Sequence, residues 1–135
     1  PNNNGGNNNN NNEPPLNCNC QKTADSQPIG TTGAPWFVLS LTTYIHTLNC
    51  NIPSLDGYIG AVNIGSIFPP IIWEITNNQV YIIDKEKIAE SGPTCGYFVT
   101  TKDYGEITIS YAAIGGFGFI TFTATIDHES EWTLN

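Results

Sequence analysis

Four cysteines, two histidines and twelve acids are the residues of this chain with reactive chemistry to offer. Cys18, Cys20, Cys50 and Cys95 lack the C-x-x-C pairs of a tetrahedral zinc site, so disulfides are their expected state. Cys18 and Cys20 stand one residue apart, too close and too poorly directed to bond each other. The expected pairing gives each of them one of Cys50 and Cys95 and staples the start of the domain to its body. The alternative joins Cys50 to Cys95 and leaves Cys18 and Cys20 to cross-link neighbouring chains.

The other groups fit no catalytic pattern. A Ser-His-Asp triad needs a serine on a special turn, and no G-x-S-x-G is present. His46 lies among alternating apolar and hydroxyl residues and reads as a strand histidine. His128, flanked by Asp127 and Glu129, reads as part of a solvated acidic tail. Glycoside hydrolysis requires two carboxylates facing across a cleft. Glu74, Asp103 and Glu106 are available, but acids in strands and turns read as surface. Asp103-Tyr104-Gly105-Glu106 and Asp56-Gly57 fall short of the alternating oxygen ligands of a calcium loop. No catalytic residue, metal ligand or cofactor is expected.

Aromatic rings offer a different chemistry, stacking on sugars. Trp73 sits in the apolar run IIWEI, where core packing is the default. Trp36 and Trp132 flank the domain and are the stacking candidates. Thr121, Thr123 and Thr125 share one strand face, and Thr108 and Ser110 another, the pattern of a solvent-facing sheet. No Asn-x-Ser/Thr acceptor occurs, so N-glycosylation is not expected.

Composition narrows the partners. The net charge is −8, and Lys22, Lys85, Lys87 and Lys102 are the only fixed cations. A nucleic-acid interface or a polybasic membrane contact would need a cationic patch, so both are excluded. No apolar run approaches the ~20 residues that span a bilayer. Only 12% of residues are charged, far below the ordinary share of a cytosolic domain. The polar surface must come from Thr, Ser, Asn and Gln, as suits a wall, coat or fibre protein. A chain that opens on Pro1 and holds no methionine is expected of a mature secreted product.

Strands must position these residues. YFVTTK, EITISYA and FGFITFTATID, between Tyr97 and Asp127, are β-branched and aromatic runs separated by DYG and AIGG. They predict a three-strand antiparallel meander. Trp36–Thr47 is the longest single strand expected, with Phe37, Leu39, Leu41 and Ile45 on one face and Val38, Ser40, Thr42, Tyr44 and His46 on the other. Tyr58–Ser66 predicts a strand weakened by glycine. IIWEIT and QVYIID, joined by Asn77-Asn78, predict a tight hairpin. Lys85–Ser91 is the one expected helical turn, residues 21–35 are expected to form a loop, and the acidic tail anchored by Trp132 a last edge strand. These elements specify an all-β fold, an antiparallel β-sandwich of Ig-like or jelly-roll type with about seven or eight strands.

The domain spans residues 18–135 and follows an arm at 1–17. PNNNGGNNNNNN at the start of the arm has no apolar surface to offset its ordering, and Pro14-Pro15 stiffens its exit. Fully extended, those twelve residues reach about 40 Å, enough to touch another molecule. The layout resembles the arm or strand exchange of surface fibres, where one subunit completes its neighbour's sheet. The expected function is therefore a secreted structural subunit of an extracellular filament or coat, polymerising head to tail with copies of itself. Asn7, Asn8, Asn9, Pro14, Pro15 and Leu16 are the arm residues of that reading. The linking strand itself is expected either in that arm, between Leu16 and Pro35, or at Trp36–Thr47. A carbohydrate-binding module, stacking polysaccharide on Trp36 and Trp132, is the alternative.

Overall fold

A computed structural model describes residues 14–34, 37–64, 71–112 and 118–135. Within them the chain is all-β. Its strands are β1 (Ala24–Ala34), β2 (Phe37–Asn49), β3 (Ser54–Asn63), β4 (Ile71–Ala89), β5 (Gly96–Ala112) and β6 (Phe119–Leu134). They form two antiparallel sheets, ordered β1-β2-β3 and β4-β5-β6. No helix among the described residues is long and apolar enough to cross a membrane.

Alternation builds the core. β5 buries every odd residue from Tyr97 to Tyr111, as a pleated strand with one covered face must. Val99, Ile107 and Ile109 from that face meet Leu39, Leu41 and Ile45 of β2 and Ile59 of β3 in one cluster. The two sheets therefore pack face to face as a sandwich. Consecutive strands fill each sheet among the described residues.

The described strands are fewer and longer than expected, because three anticipated breaks are not breaks. Asp103-Tyr104-Gly105 runs straight through β5. Gly105 is there for close packing: a Cβ on it would sit 2.8 Å from Ile75 Cγ2 of the neighbouring strand. Asn77-Asn78 is a bulge inside β4, where the register with β5 shifts between Thr76 and Gln79. Asn77 does take positive φ, at 52°, but the chain continues forward. Lys85–Ala89, expected to be helical, completes β4 against Val99–Gly96; ladder pairing overrides its helical propensity. Residues 24–34, expected as loop, pair along β2 as β1. Trp73, expected in the core, lies exposed on β4, an outer strand of its sheet.

The seams between the sheets are closed by side chains. Asn78 accepts from Ile59 N at 2.7 Å and donates to Ile59 O at 2.8 Å, so its amide completes the pairing of β3 as a strand would. Across the sandwich, Gln27 Nε2 donates to Glu131 O at 3.0 Å and Lys22 Nζ to Thr133 O at 3.2 Å. Occupying edge carbonyls in this way blunts them against stray pairing.

Candidate assembly site

The strand directions define two poles. β2, β4 and β6 end, and β1, β3 and β5 begin, at the pole that carries residues 14–23, the 50–53 turn and the 90–95 turn. Cys18 bonds Cys95 and Cys20 bonds Cys50, which ties the entering chain to both sheets. All four cysteines are thereby used, and none is left to join neighbouring chains. Leu16 N donates to Asn51 O at 3.1 Å, Cys18 N to Asn51 Oδ1 at 2.5 Å, and Asn51 Nδ2 to Cys18 O at 3.3 Å. Leu16–Cys20 is thus clamped onto its own domain. Pro14 and Pro15 lie exposed just before it. Asn7, Asn8 and Asn9 of the arm fall outside the described residues.

The linking strand expected between Leu16 and Pro35, or at Trp36–Thr47, is not free. β1 and β2 already pair with each other, and β2 also pairs with β3.

The opposite pole is apolar. The four most exposed large apolar side chains among the described residues are Phe119 (73%), Ile72 (70%), Ile64 and Val62. All four stand at the ends of β3, β4 and β6 remote from the disulfides. Trp73 and Ile120 are exposed beside them, although they oppose Ile109 and Tyr111, both buried. By register their side chains face the sandwich interior. Residues 35–36, 65–70 and 113–117, which connect the strands at this end, fall outside the described residues.

Between the poles lies a polar cluster that the sequence did not suggest. Asp103 is fully buried on the inner face of β5. Its Oδ1 accepts from Thr101 Oγ1 at 3.0 Å and from Thr43 Oγ1 of the facing sheet at 3.4 Å. Its Oδ2 accepts from Ser130 Oγ and lies 3.2 Å from His128 Nδ1. Thr101 in turn accepts the indole N–H of Trp132 at 2.9 Å. Burying a carboxylate is tolerable only with this many donors.

The cluster brings Ser, His and Asp together, yet it is not a relay. In a triad the histidine touches the acid through one nitrogen and the serine through the other. Here Nδ1 faces both, lying 3.3 Å from Ser130 Oγ. Ser130 is buried and its hydroxyl hydrogen is engaged by Asp103. The geometry suits cross-sheet bracing. His128 reaches Asp103 from β6 while its side chain stays 39% exposed, and its neighbours Asp127 and Glu129 lie 2.7 and 3.7 Å from Lys102. The hydrogen bond to Asp127 raises the Lys102 pKa above its ordinary value.

Trp132, a sugar-stacking candidate by sequence, is 4% exposed and held by Thr101; it presents no ring face. Trp36 falls outside the described residues. The hydroxyl rows are opposed across β5 and β6, with Ser110 and Thr121 at 3.0 Å and Thr108 and Thr123 at 3.5 Å, on an exposed face. No group of acids, histidines and cysteines among the described residues is arranged to hold a metal ion. Compared with protein-family models, curated proteins and solved structures, the chain matches none.

Proposed function

We propose that this protein is a secreted structural subunit that polymerises head to tail into an extracellular filament or coat. The observation that carries the reading is its polarity: the arm is rooted at one pole, and the most exposed large apolar side chains among the described residues lie at the other. Ile52, in the 50–53 turn beside the arm root, is an exposed apolar knob. Seated against Phe119, Ile72 and Trp73 of the next copy, it gives a heterologous contact. Such a contact repeats as an open fibre unless its rotation closes a ring. The arm of residues 1–17, rooted at the same pole, is long enough to reach the neighbouring copy. Because Leu16–Cys20 is clamped in cis, the arm pulls on a fixed point. The intrachain disulfides brace the subunit and are compatible with the oxidising surroundings of a secreted protein.

Electron microscopy of native, unboiled material tests the reading. Regular filaments are expected from the full chain. Dispersed particles are expected from Ile52→Asp or Phe119→Asp variants and from a chain lacking residues 1–15, each with an unchanged far-ultraviolet spectrum. Dispersed monomers from the full chain would overturn it.

A further inference from the structure

The solvent face of the first sheet carries a constellation that neither pole uses. Ser26, Tyr44 and Tyr58 oppose one another in a straight row across β1, β2 and β3. The two tyrosine rings are stacked, with centroids 5.1 Å apart and planes 20° from parallel. Tyr44 leans onto Gly60, where a Cβ would come within 2.9 Å of Tyr44 Cε2. The missing side chain lets the ring lie close to the sheet. Tyr58, 48% exposed, therefore rests on a supported ring and keeps much of its surface in solvent. The next row places His46, exposed, opposite Asp56.

Ser26, Tyr44, His46 and Tyr58 border an open depression of about 550 Å³. Asp25 belongs to the other side of the sheet: it opposes the buried Ile45 and pairs at 3.2 Å with Lys22, whose Nζ also reaches Thr133 O of the facing sheet. The face is amphipathic: two stacked aromatic rings, with the Ser26 hydroxyl in the same row and the His46 imidazole in the next. A pyranose has the matching surface, C–H groups on a ring face and hydroxyls around its rim. The net charge of −8, the lack of arginine and the nearby Asp56 disfavour phosphate, sulfate and uronic-acid groups.

We propose that this face binds a neutral oligosaccharide, with Tyr58 as the stacking platform and His46 and Ser26 as partners for its hydroxyls. The proposal stands apart from the assembly reading, since the face lies on the flank of the sandwich and shares no residue with either pole. It also moves sugar stacking from tryptophan to tyrosine.

The test is a printed array of neutral, amino and acidic glycans probed with the full chain, followed by calorimetric titration of the strongest neutral hit. Selective retention of neutral glycans is expected. Tyr58→Ala should weaken the hit about tenfold, the loss of one aromatic contact, while Tyr58→Trp retains it. His46→Ala, at an exposed site that leaves the core untouched, should also weaken it and serves as the second variant should Tyr58→Ala misfold. No neutral glycan retained, preference for acidic glycans, or undiminished binding by folded Tyr58→Ala and His46→Ala would overturn the proposal. Loss of filaments in Tyr58→Ala without any glycan binding would do the same, marking the tyrosines as a contact between copies.

Discussion

Asp103 shows what a single residue costs when it is buried for a reason. Its carboxylate sits between the sheets and gathers hydroxyls from Thr43, Thr101 and Ser130 with the imidazole of His128. Asp103→Ala would leave those donors without an acceptor in a dry interior. The expected loss is about 3 kcal/mol, read as a lower urea midpoint, whereas Thr43→Val should cost about 1 kcal/mol because it removes one bond of several. Asn78 makes a sharper case, since both its bonds run to the backbone of one residue, Ile59. Asn78→Ala should cost about 2 kcal/mol, and Asn78→Asp, which keeps the acceptor alone, should fall between alanine and wild type. Equal stability of Asn78→Ala and wild type would show that water replaces the seam.

At the scale of elements, β5 and β6 are joined on their outer face by Lys102 between Asp127 and Glu129. The folded-state pKa of Lys102 is raised above 10.5. A raised lysine adds stability that is fully present below its unfolded pKa and is lost as pH climbs through the folded one. The stability difference between wild type and Lys102→Met should therefore be flat up to about pH 10 and shrink above it. Because the group is on the surface, the whole difference should be small and weaken in salt. The disulfides act on a larger scale. Cys18–Cys95 and Cys20–Cys50 close separations of 77 and 30 residues. In the chain-entropy account each contributes about 4 kcal/mol, so Cys20→Ser/Cys50→Ser should lower the thermal midpoint by tens of degrees or prevent folding. A shift of only a few degrees would show that Cys18–Cys95 together with the Leu16–Asn51 and Cys18–Asn51 hydrogen bonds is enough to hold the segment.

For the whole molecule, intrachain pairing of all four cysteines has a consequence for assembly. Dissociated filaments should run as monomers on a denaturing gel without reductant, and a ladder of covalent oligomers would contradict the pairing described here. Reductant should dissolve filaments only where it also unfolds the subunit, measured side by side by microscopy and circular dichroism. An arm rooted at one pole and exposed apolar side chains at the other make the subunit directional.

The residues themselves determined the β class, through runs of β-branched and aromatic side chains, and the buried face of β2, through strict alternation at Leu39, Leu41 and Ile45. They also restricted the cysteines, because Cys18 and Cys20 cannot reach each other. These are local properties, fixed by propensity, period and bond geometry. Strand ends were not local. Gly105 and Asn77-Asn78 carry turn chemistry, but an adjacent strand had to be present before one became a close-packing site and the other a bulge. Asp103, His128 and Ser130 are scattered acid, tail and hydroxyl along the chain. Only pairing β5 with β6 and folding Thr43 over them placed four donors around one carboxylate. Trp132 and Trp73 exchanged their expected places for the same reason: burial depends on which face of which sheet a residue occupies and on what covers that face, and local sequence does not encode the covering layer.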